Sequence, residues 1–231
     1  MRTAIRAACG LCLLVSAAGA VAADPVVVEF YTSQGCSSCP PADAYFATLT
    51  QDPAVLPLAL HVDYWDYIGW EDRFASPAHT ARQKAYARAV QSRTIYTPQM
   101  IVQGAQRVEG NDPQAVAQAI ARAQAEPDLL ALGLQRDGAT LRITAPALAL
   151  PGPVVVQLVR YRPEEVVDIA HGENAGQRVT YRNIVTDWQP VGTWTGAEVL
   201  DLAVPVEGEA PGAVILQAQG PGAILAAARL P

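Results

Sequence analysis

The sequence is short of cysteine, lysine and histidine, and each shortage narrows what the chain can do. It has four cysteines and three histidines in 231 residues. Cys9 and Cys12 lie in the N-terminal apolar stretch, so a processed chain keeps only Cys36 and Cys39. A pair two residues apart closes a ring too small to staple distant segments, which argues against an inert scaffold disulfide. No second Cys or His pair has ligand spacing, so a zinc centre is weakly supported. Lys84 is the sole lysine among 16 basic residues, a bias of coding more than of mechanism. Basic charge is itself in deficit. Without Arg2 and Arg6, 14 basic residues stand against 22 acidic ones, a formal charge of -8. That excess argues against nucleic acid or an anionic membrane surface as partner. Beyond the N-terminus no stretch is apolar enough to span a bilayer. No internal repeat is evident, and the chain has no low-complexity tail.

The N-terminus reads as a secretory signal. Arg2 and Arg6 give a positive start, Ala7 to Ala18 a short apolar core, and Ala20-Val21-Ala22 a small-x-small cleavage pattern. Residues 1–23 are therefore expected to be removed, leaving roughly 208 residues of an exported, periplasmic or secreted protein. With 51% apolar residues, that length fits one large domain or two small ones.

What is present is concentrated at Cys36-Ser37-Ser38-Cys39. It follows an apolar run, Val26 to Tyr31, and the turn Thr32-Ser33-Gln34-Gly35, and it precedes Pro40-Pro41 and an alanine-rich stretch. The order reads as buried strand, turn, two cysteines, helix. A Cys-x-x-Cys at such a turn can close a small disulfide ring and open it again. The first half alternates strand and helix. A helix runs to about Thr50, and Leu56 to Val62 forms a second buried strand. An aromatic loop from Asp63 to Phe74 follows, then a helix opened by Ser76-Pro77. Strands at Gln99 to Val102 and Gln106 to Glu109 precede a helix opened by Asp112-Pro113. From Leu129 onward no segment has a helical period. About eight short β-branched runs, among them Val154 to Tyr161 and Glu165 to Ile169, suggest an antiparallel sandwich. The expected fold is an α/β unit over 24–126 followed by an all-β sandwich over 129–231.

These residues resemble the thioredoxin superfamily: an exposed Cys-x-x-Cys at a strand-to-helix turn, a carboxylate before it, and a later Thr97-Pro98 opening a strand. More narrowly, Thr32 to Asp43, His61 to Asp66 and Tyr96 to Gln99 resemble an exported bacterial family, domain-of-unknown-function family 1223. The segment Gly172-Glu173-Asn174-Ala175-Gly176 shares that resemblance. It implies a thioredoxin-like unit with Cys36 as attacking thiol and Cys39 as resolving thiol. It also implies a cis Thr97–Pro98 bond facing the disulfide. Glu29 resembles the buried carboxylate that deprotonates the resolving thiol; its plainer role is an ion-pair or hydrogen-bond partner. Two departures stand out. Gly35 replaces the aromatic residue before the first cysteine, which implies an open site. Pro40-Pro41 offer no N–H groups, so the helix is expected to begin near Pro41.

The leading expectation is an exported thiol–disulfide oxidoreductase that needs no cofactor and acts on protein or small-molecule thiols and disulfides. A membrane redox partner is compatible with it. Thr97, Trp65 and Trp70 are candidate groove residues, the two tryptophans serving equally well as a plug between the halves. Two alternatives stay open. One is copper or zinc handling by Cys36, Cys39 and His61, although His61 hydrogen-bonded to the aromatic loop is the plainer reading. The other is a non-enzymatic binding module. His79 is expected at the surface, and His171 in a turn.

Overall fold

A computed structural model describes residues 24–231; the expected signal peptide, with Cys9 and Cys12, lies outside the described residues. Strand β1 (Val26–Thr32) leads to α1 (Pro40–Leu49) and β2 (Val55–His61). A loop with one 3-10 turn (Asp66–Ile68) precedes α2 (Pro77–Ala89), β3 (Gln99–Val102), β4 (Gln106–Glu109) and α3 (Pro113–Ala125). Each helix starts on a proline, whose missing N–H costs nothing at that position. Ser76 and Asp112 cap α2 and α3 by accepting from the amides of Ala78 and Ala115. α1 begins at Pro40, one residue earlier than expected, with Cys39 already in helical conformation as its cap.

No helix follows Leu129 among the described residues; the strands are β5 (Gly133–Asp137), β6 (Thr140–Ala145), β7 (Val154–Asp168), β8 (Arg178–Trp194), β9 (Leu200–Pro205), β10 (Gly212–Ala218) and β11 (Ile224–Arg229). They pack in two layers, as expected of a sandwich, but not as a sheet pair apart from the first half. Four of them join the first half in one mixed sheet of eight strands, ordered β11-β10-β7-β8-β2-β1-β3-β4; only β5, β6 and β9 make a second sheet. The two runs expected at Val154 to Tyr161 and Glu165 to Ile169 are one strand, continuous through Pro163. That proline is tolerated because β7 pairs with β10 only as far as Arg160, so its other edge is free there.

Alternation along the strands sets the layers. Val27 and Tyr31 of β1, Leu56, Leu58 and Leu60 of β2, and Ala213 and Ile215 of β10 share one core with Tyr86 of α2. The opposite face carries Val26, Val28 and Phe30 of β1 and Val55 and Ala59 of β2 against α1 and α3. On β7 and β10 that face, with Val156, Leu158, Val214 and Leu216, packs against the three-stranded sheet.

The strand ladder that joins the halves is short. β8 pairs with β2 in parallel at Ala59 and Ile184. Beside it Asn183 takes a positive φ of 45° and donates from Nδ2 to the Pro57 carbonyl at 2.8 Å. Asparagine tolerates this left-handed conformation better than other non-glycine residues. Asn183→Gly should lose only the hydrogen bond, whereas Asn183→Ala loses the bond and strains the backbone. We expect Asn183→Ala to lower unfolding free energy by about 1–3 kcal/mol, and Asn183→Gly by less. Urea melts of both variants test this; equal stability of Asn183→Ala and wild type would place the seam's strength elsewhere.

Candidate functional site

The chain reverses between β1 and α1 through two tight turns. The Cys36 amide donates to the Ser33 carbonyl at 3.2 Å, and the Cys39 amide to the Cys36 carbonyl at 3.1 Å. Cys36 and Cys39 are joined in a disulfide with Cα atoms 5.4 Å apart. Contrary to the exposed site expected, Cys36 is 1% and Cys39 0% exposed. Ser37 and Ser38 alone face solvent in the motif.

Four segments produce this burial. The Thr97–Pro98 bond is cis and precedes β3. Ser38 Oγ lies 3.5 Å from the Thr97 carbonyl, and Asn111 donates to the Ser38 carbonyl at 2.9 Å. Trp65 donates from Nε1 to Thr97 Oγ1 at 2.7 Å, so these two groove candidates do meet. Trp65 also answers the missing aromatic at Gly35. A Cβ on Gly35 would stand 3.2 Å from Trp65 Cβ and 3.3 Å from Ile68 Cδ1, so the loop's own side chains fill the space expected to be open. Trp70 donates to Gln34 Oε1 at 2.8 Å, further from the disulfide in the same loop. The fourth segment arrives from the far end of the chain. Asn174, in the turn between β7 and β8, donates from one Nδ2 to the carbonyls of Gln34 and Cys36, both at 2.9 Å.

Glu29 is not part of this site. It shares the face of Val27 and Tyr31, away from α1. Arg82 of α2 holds it with two bonds of 2.7 Å, and Tyr31 donates to it at 2.9 Å. It is the ion-pair partner, not a neighbour of the resolving thiol. His79 is buried as well, donating from Nδ1 to the His61 carbonyl at 2.9 Å; burial holds its pKa below the ordinary value. His171 is exposed, its ring 6.3 Å from Trp70.

A second acidic group lies on the face of α1. Thr32 and His61 are register partners at the ends of β1 and β2, on the same sheet face as Phe30 and Ala59. Asp43 of α1 is buried against them and accepts from Thr32 Oγ1 at 3.1 Å. Burial raises the Asp43 pKa to about 7, against the pull of His61 and the Thr32 bond. His61 donates from Nδ1 to Asp72 at 2.7 Å, and its Nε2 has no partner among the described residues. Asp72 also accepts from the amides of Gln34 and Phe74 at 2.8 and 2.9 Å. Burial opposes its charge, yet His61 and these bonds hold its pKa below the ordinary value. The rings of Phe74 and Tyr181 close edge-on over His61. Among the described residues no three His, Cys, Asp or Glu are grouped to hold a metal ion, so the alternative set of Cys36, Cys39 and His61 is not assembled here. Asp43 and Asn174 carry no motif signal beyond their place in the quoted family segments, and Asp72, in the aromatic loop, lies outside those segments.

The model of the family described as protein of unknown function (DUF1223) matches residues 27–217. The chain belongs to that family. A crystal structure of a protein from Agrobacterium tumefaciens is 32% identical, with a TM-score of 0.77, covering 90% of this chain and 94% of that one. HBP35 of Porphyromonas gingivalis shares the fold at 13% identity and a TM-score of 0.63, covering 90% of this chain and 74% of its own. No curated protein matches the sequence. No helix among the described residues is long and apolar enough to cross a membrane.

Two outcomes follow from this geometry. Asn174→Ala removes two hydrogen bonds that hold the cysteine loop shut, each worth about 0.5–1.5 kcal/mol. Reduction of the disulfide by dithiothreitol should accelerate about tenfold; an unchanged rate would show that the hairpin is no barrier. The second concerns Asp43. The folded protein keeps its proton to about pH 7, whereas the unfolded chain loses it near pH ~4. The folded state binds more protons in that window, so this group makes stability fall as pH rises through it. Asp43→Asn should flatten that decline by up to a few kcal/mol in pH-dependent melts.

Proposed function

We propose that the protein is an exported thiol–disulfide oxidoreductase built on a thioredoxin-like unit. The observation that carries the reading is the closed Cys36–Cys39 ring at the entrance of α1, with Ser38 Oγ 3.5 Å from the carbonyl of Thr97, the residue before Pro98. Parallel β1 and β2, with antiparallel β3 and β4 beyond them, support a thioredoxin-like frame around that ring. Its substrates are thiols and disulfides of proteins or small molecules. In the reducing direction the Cys36 thiolate attacks a substrate disulfide and expels one substrate thiolate. Cys39 then attacks the Cys36 sulfur of the mixed disulfide and expels the second. Two electrons pass to the substrate, and the enzyme is left as the disulfide seen here. The oxidising direction is the reverse sequence.

The helix entrance gives modest help to a thiolate. Its first two residues are Pro40 and Pro41, which lack N–H groups, so the positive end of α1 is poorer in donors than usual. Reactivity then depends on opening the clasp around the loop. Burial of both sulfurs favours a second reading, a binding module with a structural disulfide.

Reduction of insulin by the dithiol form separates the two readings. We expect turnover by wild type and none by Cys36→Ser, while Cys39→Ser traps mixed disulfide. In the reduced protein an alkylating agent at mildly acidic pH should label Cys36 first, because it borders the exposed Ser37 whereas Cys39 lies on the buried side of α1. Equal labelling, or no activity with insulin and small disulfides, would move the reading to the structural disulfide.

A further inference from the structure

We infer that Asp43 is the internal proton acceptor for Cys39, working over a buried polar floor made by Thr32, His61 and Asp72. The inference rests on the oxidoreductase reading above and assigns it a residue. Cys39 has helical backbone angles, and the Asp43 amide donates to the Cys39 carbonyl at 3.0 Å. Side chains four residues apart on a helix stand one above the other, with Cβ atoms about 5–6 Å apart. Cys39 and Asp43 are therefore neighbours on the one face of α1 turned to the sheet, and both are buried. Glu29, the carboxylate with the stronger resemblance, lies across the sheet and is engaged by Arg82. Water has little access to the Cys39 sulfur, so the proton it sheds needs a local acceptor.

The surroundings suit that task. The groups facing Asp43 are Thr32 from β1, His61 from β2, Asp72 from the loop after β2, and Tyr181 from β8. Thr32 donates to the carboxylate. His61 donates a hydrogen bond from Nδ1 to Asp72, and its buried Nε2 has no partner among the described residues. Tyr181 is kept protonated by burial and by Asp43 and Asp72, so it does not compete for the proton. Asp72 bears the other acidic charge but is committed to His61 and two amides.

The Cys39 thiol passes its proton to the Asp43 carboxylate. The resulting thiolate forms a bond to Cys36 Sγ, and the bond from Cys36 to the substrate sulfur breaks. The substrate leaves as a thiolate carrying the electron pair, and the Asp43 proton is then lost to water. In the oxidising direction protonated Asp43 supplies the proton to Cys39 as it leaves.

A small aromatic disulfide, 5,5′-dithiobis(2-nitrobenzoate), tests this with the full mature protein. The reduced enzyme should release one coloured thiolate when Cys36 attacks and a second when Cys39 resolves. We expect the second phase of wild type to rise with pH and level off as Asp43 ionises. In Asp43→Asn it should fall about 100-fold at neutral pH, and then climb without a plateau toward the ordinary thiol pKa of about 8.5. The first phase should be unchanged. Thr32→Val removes the bond that lowers the Asp43 pKa, so its inflection should move to higher pH. This second variant decides the matter if Asp43→Asn does not fold. Absence of any first phase in wild type would count against the oxidoreductase itself. A normal first phase with an unshifted second-phase profile in the variants would overturn the role of Asp43 alone.

Discussion

The Glu29–Arg82 pair is the constraint around which the chain is arranged. A carboxylate at the centre of a sheet is tolerated only with a charged partner and hydrogen bonds to its remaining lone pairs. Arg82 supplies the partner, and Tyr31 and Tyr86 supply hydroxyl donors. The guanidinium must be satisfied in turn: it donates to the Tyr86 hydroxyl at 3.2 Å, and its other contacts come from the C-terminal half. Gln217 of β10 accepts at 2.9 Å, Gln157 of β7 at 3.4 Å, and the Trp188 ring of β8 lies 3.9 Å from the guanidinium carbon. Breaking such a buried pair costs about 3–5 kcal/mol, whereas the parallel bridge between β2 and β8 is a single register pair. The ionic hub, more than the ladder, sets how the later strands lie against the earlier ones.

That placement has a consequence at the other end of β7 and β8. Their 15 and 17 residues run well past the hub, so the turn between them reaches the loop before α1, and Asn174 meets Gln34 and Cys36. The two faces of β1 thereby divide the work. Glu29 serves assembly on one, and Thr32 serves the site on the other, three residues along the same strand.

Much of this was legible in the sequence, and the gaps share a physical cause. Local signals are the legible ones: Ser76-Pro77 and Asp112-Pro113 start helices, and the apolar runs around residues 26–31 and 56–62 are buried strands. Alternation also places Glu29 with Val27 and Tyr31 and apart from Phe30, but it does not say which face α1 will cover. Asn174 contacts a carbonyl 140 positions away, and no periodicity reports such a pair. The same holds for β8 beside β2: a strand paired on both sides and one in a separate sandwich share one pattern of alternation. Gly35 misled for a related reason. A missing side chain reads as a vacancy until the loop that fills it, through Trp65 and Ile68, is known.

Burial of the two sulfurs changes what controls their chemistry. Exchange requires an in-line approach to a sulfur, so the observed rate is the intrinsic rate multiplied by the fraction of molecules that are open. Each 1.4 kcal/mol spent on opening reduces that fraction about tenfold. The clasp is made of neutral hydrogen bonds, Asn174 on two carbonyls, Asn111 on Ser38 and Trp65 on Thr97, each worth about 0.5–1.5 kcal/mol. Such bonds can be exchanged for equivalent ones to an incoming extended segment, because the carbonyls of Gln34, Cys36 and Ser38 and the hydroxyl of Thr97 are acceptors in any partner's hands. A clasp of ion pairs or packed aromatics would lack that property, since breaking it leaves charge or apolar surface with no replacement. The ionic hub lies on the other face of the sheet, apart from these bonds. Beside the cysteines the hydrogen bonds of the clasp are ones a peptide backbone can replace, whereas the packing of Trp65 and Ile68 over Gly35 is not.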